Sequence, residues 1–106
     1  MVTHHNPASD PAKPSLLDEA ALYAVLRPRR HVKAHFFGHS HVWSINPDES
    51  GLHRVNLPAV AYVFEPTQPS GWVNAQLEPR GIKLQLRCVD PTHRQQGEIK
   101  ELVWRA

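Results

Sequence analysis

The stretch Val32-Lys33-Ala34-His35-Phe36-Phe37-Gly38-His39-Ser40-His41 decides how this chain is to be read. Val32, Ala34 and Phe36 alternate with Lys33, His35 and Phe37, a period of two that predicts a strand running into Gly38. A glycine at a strand end accepts φ > 0 without a Cβ clash, so a sharp turn is expected there. On such a turn, imidazoles two residues apart reach two neighbouring metals and do not share one face. Imidazole suits zinc, iron and manganese sites. From spacing alone the motif also reads as a solvent-exposed hairpin turn with two incidental histidines.

Working upstream, Ser15 opens a predicted helix to Leu26, with Asp18 three residues later in a capping-box pattern. Leu17, Ala21 and Ala24 recur at helical spacing, with Leu22, Val25 and Leu26 widening the apolar side. Pro28 ends it, because the residue before a proline disfavours helical geometry. Before the helix, residues 6–14 hold three prolines and read as a loop. Ahead of that loop, Val2-Thr3-His4-His5-Asn6-Pro7 is a short β-prone stretch ending in histidines. Strand ends are where sheets present ligand-binding groups. A doubled histidine there also reads as a frayed terminus or an expression scar.

Downstream, Val42 to Ile45 reads as a second strand and Asn46 to Gly51 as a turn-rich connection. Leu52 to Phe64 holds one or two strands, interrupted by Pro58. Trp72 to Glu78 and Ile82 to Val89 form a hairpin around Pro79-Arg80-Gly81. Ile82, Leu84, Leu86 and Cys88 share one face of it. A short strand near Leu102 to Arg105 closes the chain. One helix followed by mostly antiparallel strands predicts an α+β or layered sandwich fold, not a doubly wound one. Trp43, Trp72 and Trp104 are expected in core or inter-sheet packing, and His35 as a satisfied or surface histidine.

At 106 residues the chain is one domain or a fragment of one. Hydrophobic residues make up 41% and charged residues 21%, ordinary values that argue against disorder. The net charge is +2 and the only basic cluster is Arg27-Pro28-Arg29-Arg30, short of the broad stripe of a nucleic-acid binder. Cys88 is the single cysteine, so no internal disulfide forms. No apolar run approaches the ~20 residues that span a bilayer. The chain reads as soluble and cytoplasmic.

Together the two histidine motifs resemble the calcineurin-like metallophosphoesterase family. In that family a strand-end histidine in a His-His-Pro or His-His-Asn-Pro context is followed by a helix, a strand and Gly-His-x-His. Here the order is His4-His5-Asn6-Pro7, the helix from Ser15 to Leu26, the strand from Val32 to Phe37, then Gly38-His39-Ser40-His41. The resemblance implies a C-terminal part of a layered β-sandwich metallophosphoesterase domain over residues 1–106. It implies His4, His39 and His41 as metal ligands, His39 and His41 to different ions, with His5 second in line or facing substrate. It implies hydrolysis of a phosphate ester with divalent manganese, iron or zinc.

The family's Asp-x-His, Gly-Asp-x-x-Asp and Gly-Asn-His-Asp/Glu motifs are absent, and Asp10, Asp18, Asp48 and Asp90 stand in no such context. Two divalent ions with no carboxylate between them repel strongly, whereas three neutral histidines hold one zinc. The chain is therefore expected to supply the histidine half of the site, to be inactive alone, and to need a missing N-terminal half of the catalytic domain. It reads as a fragment or as a gene start placed too late. Sheet edges left open would make it self-associate. Two alternatives stay open: a stand-alone three-histidine hydrolase or metal-binding protein, and a non-catalytic β-rich interaction module.

Overall fold

A computed structural model describes residues 1–7 and 15–106. In chain order these form α1 (Glu19–Leu26), β1 (Ala34–Phe37), β2 (Ser44–Pro47), β3 (His53–Asn56), β4 (Gly71–Glu78), β5 (Gly81–Cys88) and β6 (Ile99–Val103). The strands make two three-stranded sheets, ordered β1-β3-β2 and β4-β5-β6. All pairings are antiparallel except β1 with β3, which run parallel in the register Phe36 to Val55. Val2 adds a parallel bridge to Phe36 on the far side of β1, so the chain enters the first sheet, crosses through α1 and returns in β1. The fold is α+β, as the sequence predicts, and residues 8–14 of the expected loop lie outside the described residues.

One apolar cluster welds the two sheets. Val55 from β3 and Trp43 meet Ile82, Leu84, Leu86 and Cys88 from β5, with Phe36, Ile45, Val73 and Leu102 packed around them. The period of two read from β5 is thus the core face, and the intervening Lys83, Gln85 and Arg87 are only half-buried. Around the hairpin, Glu78 pairs with Gly81, leaving Pro79 and Arg80 as the turn. Gly81 is required there by close approach: a Cβ would collide with the Leu102 carbonyl of β6. A second cluster, Tyr23, Leu26 and Leu52 with Leu22 and Val32, seats α1 on the outer face of the first sheet.

Several element boundaries and faces differ from the sequence reading. The helix starts at Glu19, not Ser15, and no side chain caps it; Asp18 takes the N-cap position with its backbone alone. Its buried face is Leu22, Tyr23 and Leu26, while Leu17 is fully exposed and Val25 half-exposed. Tyr23 displaces the alanines because a phenol buries its ring when its hydroxyl finds a partner. β2 begins at Ser44, two residues later than expected, because the Trp43 amide bonds to the Gln68 side chain at 3.0 Å and not to a strand. Beyond Asn56, residues 57–70 form no strand. Trp72 is exposed on the outer face of β4, while Trp43 is buried and Trp104 packs at the core's rim.

Candidate metal centre

Strand ends gather the histidines. The Thr3 amide donates to the Phe36 carbonyl and the Gly38 amide to the His4 carbonyl, so His4 and His5 emerge beside the end of β1 where His39 begins its turn. The turn itself crosses above β3, because the chain must pass that central strand to reach β2. Asn56, the last residue of β3, donates from Nδ2 to Ser40 Oγ at 2.7 Å, and the Ser40 amide donates to the Gly38 carbonyl at 2.8 Å. Ser40, which the motif leaves as a variable position, is thus a holding point of the turn.

The left-handed backbone falls where the sequence reading does not place it. Gly38 does not take a positive φ; His39 (φ 68°) and His41 (φ 57°) do. For a residue with a Cβ this conformation costs about 1–2 kcal/mol. Two such residues within three positions aim the imidazoles in directions that an ordinary strand or helix would not give them.

His4, His5 and His39 converge, each with a ring nitrogen within 4.8 Å of the others. His4 Nε2 and His39 Nδ1 are 3.3 Å apart, and the His5 and His39 ring centroids 4.5 Å apart. A tetrahedral zinc with nitrogens at about 2.0–2.1 Å has ligand-to-ligand edges of about 3.3–3.4 Å, so the closest pair already has the spacing of two ligands on one ion. Burial, reinforced by the neighbouring His5, His4 and His41, holds the His39 pKa below its ordinary value. That favours the neutral imidazole, the form that binds metal. Among the described residues no carboxylate joins the cluster.

His41 stands apart from the three. Its ring is stacked on Phe64 and edge-on to Tyr62, and its Nδ1 is buried with no hydrogen-bond partner. Asn6 and Asn56, both buried at the same end of the sheet, likewise carry side-chain oxygens with no partner. Unpaired buried polar atoms are rare and costly.

A buried relay supports the cluster from beneath. Tyr23 Oη lies 2.9 Å from His35 Nδ1, His35 Nε2 lies 2.8 Å from Thr3 Oγ1, and the Thr3 hydroxyl donates to the His5 carbonyl at 3.1 Å. Because the Thr3 hydrogen goes to a carbonyl, one direction satisfies every member: Tyr23 donates to Nδ1 and Nε2–H donates to Thr3. Helix, strand and the backbone of His5 are tied in sequence. His35, Tyr62 and Phe64 carry no motif that marks them, the polar phase of His35 being the one hint. Asn56 and Gln68 open the stretches Asn56-Leu57-Pro58-Ala59 and Gln68-Pro69-Ser70-Gly71-Trp72, which belong to the family resemblance without a role assigned to either residue.

The chain is thus an α+β fold of two three-stranded sheets with imidazoles gathered at strand ends. Two solved structures share the fold. Vacuolar Protein Sorting 29 from Cryptosporidium parvum superposes with a TM-score of 0.62 at 15% identity, over 96% of this chain and 51% of that one. Wild-type Vps29 from Entamoeba histolytica, solved with zinc, gives a TM-score of 0.55 at 12% identity, over 99% of this chain and 53% of that one. Vps29 has a calcineurin-like metallophosphoesterase fold, and at these identities the likeness speaks to the fold alone. The chain spans about half the length of each. No family model matches the chain, and no curated protein matches it in sequence.

Proposed function

We propose that this chain is the histidine-bearing part of a metallophosphoesterase-like unit. It holds one divalent cation (zinc, iron or manganese) through His4, His5 and His39. It serves phosphate-ester hydrolysis only together with carboxylates supplied by a further polypeptide segment. The observation that supports this best is the convergence of three imidazole nitrogens at the strand ends, with His39 held in a left-handed conformation. When bound, such a cation supplies Lewis acidity toward a phosphoryl oxygen and lowers the pKa of water. The chain's own residues do the rest. His39 stays neutral, Ser40 and Asn56 fix the turn, and the Tyr23–His35–Thr3 relay holds the His5 backbone. A second cation on His41, as the motif implies, needs a bridging carboxylate, because like charges about 3.5–4 Å apart repel strongly.

The test is metal content and turnover on the same preparations. The chain is loaded separately with zinc and manganese, and metal per chain is counted by mass spectrometry. One zinc per chain is expected, with His39→Ala losing at least about tenfold in affinity, a range typical of lost ligands and their supports. Equal zinc retention by His39→Ala sinks the site. Hydrolysis of aryl phosphates should not exceed that of the His39→Ala/His41→Ala variant. Turnover that this variant abolishes would instead establish a stand-alone hydrolase.

A further inference from the structure

Beside the histidine cluster, residues 57–70 raise two aromatic side chains into solvent. Tyr62 is 59% exposed and Phe64 68%. Their rings stand edge to face, centroids 5.4 Å apart at 87°. His41 lies against both: nearly parallel to Phe64 at 4.5 Å, and edge-on to Tyr62 at 4.8 Å. The three rings form a corner in which His41 covers one side and much of both other rings faces water. Aromatic rings are among the side chains that gain most from burial, so two exposed rings held against a third offer an apolar surface to a ligand. The corner is also close to the metal centre, since His41 follows His39 by two residues and their Cα atoms are at most about 7 Å apart.

We infer that Tyr62 and Phe64 form a shelf for the organic group of the phosphate ester, and that the group it takes is a planar aromatic ring. The inference rests on the histidine cluster being the phosphate-side metal centre, and adds the substrate class to that reading. A phosphate ester is anionic at one end and organic at the other, with few bonds between. The cationic centre takes the first end, which leaves the second against whatever surface adjoins it. Here that surface is aromatic. A flat ring meets Phe64 in an offset stack or Tyr62 edge to face, the arrangements aromatic pairs prefer. An aliphatic ester of equal charge lacks that gain, which corresponds to roughly two- to tenfold in affinity. His41 is a positioning residue for the shelf: its left-handed backbone and its stack on Phe64 hold the corner in place.

The experiment titrates the chain with phenyl phosphate and with glycerol 2-phosphate, with and without one equivalent of zinc. Affinities are measured alongside the ring resonances of Tyr62 and Phe64 by NMR. Phenyl phosphate is expected to bind roughly two- to tenfold more tightly and to shift both rings. The Tyr62→Ala/Phe64→Ala variant should bind the two esters equally while keeping its zinc; both residues are exposed, and a thermal melt checks that it folds. Equal affinities in the parent chain, failure to bind either ester, or a preference that survives in the variant overturns the shelf. Zinc content is read independently. A chain that takes up no zinc when it is offered yet prefers phenyl phosphate keeps the shelf and sinks the metal reading, whereas a zinc-loaded chain without preference sinks the shelf alone.

Discussion

His35 shows what one position in a strand controls. It is completely buried, sits beside Arg54 of β3 in the parallel register, and bridges Tyr23 and Thr3. Burial, with the nearby N-terminal ammonium adding to it, pushes its pKa from 6.5 down to about 4. Burial likewise pushes Tyr23 up to about 12, so the phenol stays a donor. A histidine with a depressed folded pKa binds its proton more readily when unfolded. Its contribution is therefore complete above pH 6.5 and is lost as pH falls from 6.5 toward 4. At about 1.4 kcal/mol per pH unit the loss approaches about 3 kcal/mol. Urea unfolding across that pH window should show the decline, and His35→Gln should flatten it. A parent profile level between pH 6.5 and 4 would contradict the buried neutral imidazole. Alternation placed His35 off the apolar phase of its strand. The helix that covers that phase is a tertiary event, and it turns a polar position into a core one.

At the scale of elements, the joint between α1, the turn before β3 and the end of the chain rests on two charged side chains. Arg105 is buried, and its guanidinium donates to the carbonyls of Val32, Leu26 and Arg29 and to Ser50 Oγ, at 2.6–3.0 Å. It thereby gives the Leu26 and Arg29 carbonyls at the open end of α1 a second donor beside the Arg29 and Val32 amides. Asp48 organises the turn: burial would raise its pKa, but hydrogen bonds from Ser50 Oγ, Arg27 and the Ser50 and Leu52 amides hold it at about 2. Arg105→Ala should cost roughly 2–4 kcal/mol, because the bonds of one buried guanidinium to three carbonyls and to Ser50 Oγ are lost at once. Arg105→Lys should not restore it, since an ammonium cannot span the same fork of acceptors. The denaturation midpoints of the two variants decide this; a lysine variant as stable as the parent would contradict it. Neither contact is visible in the sequence, where Arg105 reads as the end of a strand from Leu102 (the structure places that strand at Ile99–Val103) and the helix lies some eighty residues earlier. The helix itself was legible through its hydrophobic spacing and Pro28, but its face was not. Leu17 and the alanines fit the period as well as Tyr23 does, and only the sheet beneath chose among them.

For the whole molecule, the two sheets share one core while most of their outer edges stay open. Among the described residues β2, β4 and β6 each pair with a single neighbour, and Leu77, Val103 and Ile99 are more than half exposed on or beside those edges. Unpaired edges with apolar flanks template further pairing. Concentration-dependent self-association is the expected outcome in size-exclusion chromatography with light scattering. A monodisperse monomer over the whole concentration range would count against it. No helix among the described residues is long and apolar enough to cross a membrane.

By itself the sequence determined the helix-then-strand order, the β4–β5 hairpin, the core face of β5 and the histidine-bearing turn. These depend on period, proline and glycine, which act within a few residues of themselves. Tertiary structure alone decided that His4 and His5 meet His39, that His41 leaves them for Tyr62 and Phe64, and that the left-handed residues are the histidines and not Gly38. It also decided that Tyr23, His35 and Thr3 join into one relay. Those outcomes depend on which strand lies beside which, and adjacency across thirty residues is set by the packing of the whole sheet. A local pattern carries no term for it.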